Sequence, residues 1–337
     1  MAAEPATAAP GLPGQCEAEA ESAVLPEAEQ AASLAVLLRF FQETATFDLA
    51  GLVAALHAAN QATVDACLGQ LWPSHSSTLL ARATEACADT SGLAWQGRAK
   101  LVRSVFRVGE GAWNTDAYAA CILAAFGPLE GQALYSAKAY VDDGEDKLTL
   151  HLLVFKTLPP APRTALLRHF AAGAAAASGP PARPNIVAVD IDDTLHPYLF
   201  DQSSAAGEPY PGVLDCLAAL VAGPQGGTPG RLAVITARPG LARSYTRAAM
   251  RKLGLGHATV YTGTLTALVS TDSMAARKLQ NFDRLRQLWP EGRLVWVGDM
   301  GQGDCLAGQQ LLAQPCSADC PPPLVLMHDI VLRGAKQ

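Results

Sequence analysis

Three acids, Asp190, Asp192 and Asp193, stand directly after the apolar run Ile186-Val187-Ala188-Val189, and two more, Asp299 and Asp304, follow Leu294-Val295-Trp296-Val297. Thr236 comes immediately after Leu232-Ala233-Val234-Ile235, and Lys278 lies early in a segment with helical spacing. Carboxylates crowded at a strand end repel one another and are poorly hydrated, so they persist only with a counter-charge. For an all-oxygen cluster the natural counter-charge is a hard cation such as Mg²⁺. Taken alone, the Asp190 stretch reads equally well as a strand followed by a solvated acidic turn.

The elements that must position these groups are legible as alternating strands and helices. Apolar runs without polar partners mark strands over 186–190, 232–236, 258–262, 294–298 and 324–328, as in a parallel sheet covered on both faces. Helical spacing marks 212–221, 241–253, 274–288 and 304–312. Strand and helix in alternation predict a compact α/β domain over 185–337, with ligands bound beyond the carboxyl ends of the strands. That edge carries Asp190, Thr236 and Asp299.

The ordered set Asp190-Ile191-Asp192-Asp193-Thr194, Thr236, Lys278 and Gly298-Asp299-Met300-Gly301-Gln302-Gly303-Asp304 resembles the four motifs of the haloacid dehalogenase-like superfamily. The likeness covers about residues 185 to 330. It implies a Rossmannoid parallel sheet with a small or absent cap, since about 40 residues separate the first motif from the second and the second from the third. It also implies a phosphatase with Asp190 as nucleophile, Asp192 as general acid/base, and Thr236 and Lys278 holding the phosphoryl group. Mg²⁺ would be held by Asp190, Asp192, Asp299 and Asp304. Further text, Tyr210-Pro211-Gly212-Val213, Thr236-Ala237-Arg238-Pro239, Asn281-Phe282 and His328-Asp329-Ile330, resembles the microbial branch of actin-patch-type phosphatidate phosphatase catalytic domains. The resemblance implies an anionic lipid substrate and peripheral contact with a membrane. Two alternatives stay open: a phosphatase of a soluble phosphometabolite or phosphoprotein, with the helical half as lid, and an adaptor with a vestigial phosphatase fold.

The roles are chemically coherent. A carboxylate can attack phosphorus and form an aspartyl phosphate, dividing a difficult hydrolysis into two easier steps. An Asp at the second position supplies the base that discharges the phosphoenzyme. Arg238, two residues beyond Thr236, is placed either to contact substrate phosphate or to form a structural ion pair. Asp193 lies outside the superfamily's required acids and reads as an outward or turn-capping carboxylate. Arg243, Arg247 and Arg251 stand at i, i+4 and i+8, opposite Leu241, Tyr245 and Ala248; the spacing favours a solvated arginine face over a surface for an anionic partner.

The rest of the chain of 337 residues carries no catalytic constellation. Residues 1–30 hold six acids, no base and no aromatic residue, the composition of a disordered tail. Residues 31–175 form a helical domain by their apolar spacing, closed at one point by Pro73 and opened at another by an Asn114 cap. The stretches around 135–141 and 148–158 read as two helices rather than a hairpin, and residues 176–184, rich in Gly and Pro, form a linker between two domains with separate cores. Net charge is −6, with 11 basic and 18 acidic residues up to 182 and 14 and 13 thereafter. No basic footprint for nucleic acid is present. Cys316, Cys320 and His328 lack the second close pair that a zinc site uses. Scattered cysteines, no apolar run of bilayer length and no leader signature place the protein in the cytoplasm.

Overall fold

The computed structural model describes residues 27–42, 49–88, 92–110, 113–142, 148–176, 183–197, 208–222, 228–301, 303–314 and 322–329. The described residues before the sheet are helical: α1 (Glu27–Gln42), α2 (Leu49–Ala58), α3 (Gln61–Ala88), α4 (Trp95–Val108), α5 (Asp116–Phe126), α6 (Gly131–Val141), α7 (Leu150–Leu152) running on into a π-helical turn (Leu153–Thr157), and α8 (Pro160–Ala176). The two-helix expectation for 135–158 therefore holds. Residues 27–30, expected in the tail, belong to α1, and the rest of that tail lies outside the described residues, as do 177–182 of the linker.

Of two local expectations, one is corrected. The helical run does break beside Pro73: His75, at φ −135° and ψ 20°, is non-helical, and α3 is two helical segments joined across that kink. Leu79, Leu80 and Ala83 beyond the bend are buried, so apolar packing holds the chain in register after the proline removes one backbone hydrogen bond. Thr115, not Asn114, caps α5; its hydroxyl accepts the Tyr118 N–H while Asn114 sits in the left-handed region at φ 68°.

The sheet comprises β1 (Asn185–Val189), β2 (Arg231–Pro239), β3 (Thr259–Gly263), β4 (Arg293–Asp299) and β5 (Leu324–His328), all parallel, in the order β3-β2-β1-β4-β5. Crossovers are α9 (Val213–Ala222), α10 (Arg243–Lys252), α11 (Thr271–Leu288) and α12 (Asp304–Ala313). β1 pairs on one side with β2 and on the other with β4. The strand order therefore reverses beside β1, and a crevice opens beyond its carboxyl end.

Period-two alternation distributes the strands between two apolar layers. Val187, Val189, Val234 and Val295 pack with Leu217 and Val221 of α9 and with Met250. Ile186, Ala188, Ile235, Tyr261 and Trp296 face the other way and join Phe282, Leu285 and Leu288 of α11. That second layer continues without a break into the helical half, through residues such as Leu134, Leu153 and Phe170. The two halves therefore share a core, where separate cores were expected. Polar contacts bind the same seam: Lys138 Nζ, buried, donates to Leu288 O and Glu291 Oε2 at 2.9 Å each and lies 4.8 Å from the Trp289 ring. Arg231 donates to the carbonyl of Asp142 at 2.9 Å. No helix among the described residues is long and apolar enough to cross a membrane.

Candidate active site

Register brings the chemistry-bearing residues to one edge. Val189 is level with Val234 of β2 and Val297 of β4, so Asp190, Ile235–Thr236 and Gly298–Asp299 emerge together. The Asp190 N–H donates to Val297 O at 3.0 Å, which locks the turn after β1 to β4. Asp299 is paired with His328 at the end of β5.

Asp190, Asp299 and Asp304 are buried, and each offers a carboxylate oxygen within 4.8 Å of the others. Two backbone features permit this crowding. Gly298 has no side chain, and a Cβ there would stand 2.7 Å from Asp304 Oδ2. Gly303 precedes α12 at φ 86°, a left-handed conformation in which a Cβ would also approach Thr271 O to 2.8 Å. Lys278, on the second turn of α11, reaches in from the adjacent layer. Its ammonium contacts Asp304 Oδ1, lies 3.2 Å from Asp190 Oδ2 and sits 5.5 Å from the Trp296 ring.

Burial dominates the electrostatics. It raises the Asp190 carboxyl to about 6, with Lys278 opposing and Asp192 and Asp299 adding to the rise. Burial also raises Asp299 and, with help from Asp190, carries Asp304 far above the ordinary carboxylate range. For Lys278 burial acts downward, but Asp190 and Asp304 outweigh it and its pKa is raised. Three carboxylates thus share one ammonium. Asp190 Oδ1 and Asp299 Oδ2 are buried without a hydrogen-bond partner. An all-oxygen donor set with orphaned anionic atoms fits a small hard cation.

Asp192 lies apart from that trio. Arg238 holds its carboxylate in a fork, Nε donating to Oδ2 at 3.0 Å and Nη2 to Oδ1. The structure therefore gives Arg238 the ion-pair role of the two expected, and gives Asp192 an arginine rather than a place among the clustered oxygens. Thr236 is buried, its Oγ1 accepting the Arg238 N–H at 3.1 Å. Of the two expectations for Asp193, the outward one is excluded: the residue is 1% exposed and sits in the turn after β1, its N–H donating to His196 O at 3.0 Å. It occupies the left-handed region at φ 59°, which Asp tolerates, and its carbonyl lies 3.2 Å from His328 Nδ1. His328, whose ring meets Tyr210 edge-on at 4.5 Å, has no catalytic role in the sequence reading, where it stands only in the His328-Asp329-Ile330 text and beside the rejected zinc pair. Its place at a strand end was the available signal. Cys316 and Cys320 lie outside the described residues.

Asp190, Asp299, Asp304 and Lys278 are thus brought together, with Thr236 and Arg238 on the last residues of β2 and Asp192 in the segment after β1. No protein-family model, curated protein or solved structure matches the chain.

Proposed function

We propose that the protein is a Mg²⁺-dependent phosphomonoester hydrolase of the haloacid dehalogenase-like type, acting through an aspartyl phosphate. The observation carrying this reading is the convergence of three buried carboxylates on one buried lysine at the switch point of a parallel sheet. Asp190, Asp299 and Asp304 would hold Mg²⁺, which when bound neutralises the carboxylates and the incoming phosphate.

The chain's own groups account for the remaining steps. An Asp190 oxygen attacks phosphorus while the P–O bond to the leaving group breaks. Lys278 and the Thr236 hydroxyl donate toward the equatorial oxygens. Asp192 gives a proton to the departing alkoxide, then takes one from the water that attacks phosphorus, releasing phosphate and restoring Asp190. Asp190→Asn should lower phosphate release from an aryl phosphate by on the order of 10³-fold or more, and chelation of divalent cations should stop it. Equal activity in wild type and variant overturns the assignment.

A lipid-like substrate is favoured by the rim. Leu241 is 88% exposed, Tyr245 71% and Val269 80%, with Leu265 and Met300 also exposed. These residues lie on the connections after β2, β3 and β4, and the Tyr245 ring lies 5.8 Å from the Arg238 guanidinium. Exposed apolar side chains on the connections beyond the strands' carboxyl ends suit a phosphate carried by an amphiphile at a membrane surface. The lid alternative is less well supported, because hydrogen bonds from the helical half reach Pro229, Arg231, Leu288, Thr259 and Glu291, at or near the starts of strands.

A further inference from the structure

The sheet has two edges, and they are finished differently. β3 forms one, and all five of its residues are buried. The helical half covers it: Thr259 Oγ1 lies 3.5 Å from Asp142 O, and the His151 ring stands 4.7 Å from that of Tyr261. β5 forms the other edge. Its five residues, Leu324 to His328, are each half-buried, and among the described residues its backbone pairs with β4 alone. Alternate residues of a strand turn their N–H and C=O groups away from the one neighbour, so β5 presents a row of such groups outward.

The devices that blunt an exposed edge are missing from it. The strand has no Lys, Glu or Pro, and its register with β4 runs unbroken from Leu324 to His328. Pro323, which has no N–H, limits the row only at its start. Both apolar layers also stop here half-covered. Val325 and Met327 pack against the layer of Trp296 and Leu311, and Leu324 and Leu326 against that of Val295 and Val297. A strand added beyond β5 satisfies the outward backbone groups and extends both layers.

We propose that the outer edge of β5 is a homodimer interface, at which β5 of a second copy pairs antiparallel about a twofold axis through Leu326. The arrangement is self-complementary and closed. Leu326 faces Leu326 of the second copy and Val325 faces its Met327, on matching sides, so each apolar layer meets its own continuation. Charge selects a second copy over an unrelated strand. Asp329, exposed just past the strand, comes level with the second copy's Pro323, next to Pro322, whose carbonyl accepts from Arg293 Nε at 3.3 Å. Each copy's carboxylate thus approaches the other's guanidinium. The two acid clusters face opposite ways along the joined sheet, and neither is covered by the pairing.

Sedimentation velocity of the full chain across a concentration series tests this, alongside two cysteine variants. Wild type should sediment as a dimer at micromolar concentration. Leu326→Lys sets two ammonium groups against each other at the axis while its stem still covers the apolar layer, and should weaken association at least about tenfold. In an antiparallel pair the two Cα atoms at 326 stand about 4.5–5.5 Å apart, within disulfide reach, while those at 324 stand about 14 Å apart. Under mild oxidation Leu326→Cys should form a reducible dimer linked through residue 326, read by peptide mass spectrometry, and Leu324→Cys should not. A monomer at every concentration, a dimer unchanged in Leu326→Lys, or equal cross-linking at 324 and 326 overturns the proposal. A monomer whose β5 amides exchange slowly with deuterium also overturns it, since the chain then covers its own edge. Should Leu326→Lys fail to fold, the cysteine pair decides alone. Both readouts hold whether or not the chain hydrolyses phosphate.

Discussion

At the scale of single residues, Asp192 and Arg238 form the pair whose behaviour most directly tests the chemistry. A bidentate guanidinium fork fixes the carboxylate's orientation. Arg238→Ala should lower kcat by roughly 10- to 100-fold, part of the about 10²–10⁴-fold an acid/base group supplies, with Arg238→Lys restoring only some of it because an ammonium offers no fork. Rates across a pH series, compared with KM, check this: a purely structural role would leave the shape of the profile unchanged. His151 provides a stability test. Its folded pKa is depressed to about 3 from 6.5, so the unfolded chain binds more protons between those values. Its contribution is therefore complete above about pH 6.5 and lost as pH falls toward 3. Between pH 7 and 5 this amounts to about 2 kcal/mol, and His151→Phe should flatten the acid limb of urea-unfolding stability by that amount. Identical limbs would sink the idea.

At the scale of elements, the continuous apolar runs made the five strands legible, because a strand covered on both faces needs no polar residue on either. The strand-end rule then located Asp190, Asp299, Thr236 and, through α11, Lys278 without any knowledge of distances. The orientation of α10 was not legible. Its periodicity groups the arginines, but which residues meet the protein is decided by what packs against the helix: Thr246, Arg247 and Met250 are buried beside β3, while Tyr245, Ala248 and Arg251 face solvent. The exposed apolar side gives a prediction at this scale. Leu241→Asp with Tyr245→Ser should weaken binding to anionic lipid vesicles by about tenfold or more, given about 1.5–3 kcal/mol per apolar side chain removed from water. Turnover of a soluble aryl phosphate should be unchanged. Vesicle co-sedimentation beside that assay reads both outcomes.

For the whole molecule, the shared layer through Leu134, Phe170, Phe282 and Trp289 means that neither half covers its own apolar surface. Residues 183–337 expressed alone should therefore be aggregation-prone and lack a cooperative thermal transition; a sharp transition in calorimetry would contradict this. Lys138 occupies the seam, fully buried against Glu291, Phe170 and Trp289. Lys138→Ala leaves a largely buried carboxylate unpaired and should cost about 3–5 kcal/mol, measured by denaturant unfolding. The sequence by itself determined the alternation of strands and helices, the parallel α/β class and the acids at the strand ends, because these follow from periodicities and adjacencies within a few residues. Tertiary structure alone decided that Asp192 turns to Arg238, that Asp193 is buried, that α10 buries Arg247 and leaves Arg251 in solvent, and that the helical half joins the sheet's core. Each of those depends on groups far apart in the chain meeting in a low-dielectric interior, where burial and charge pairing outweigh local preference.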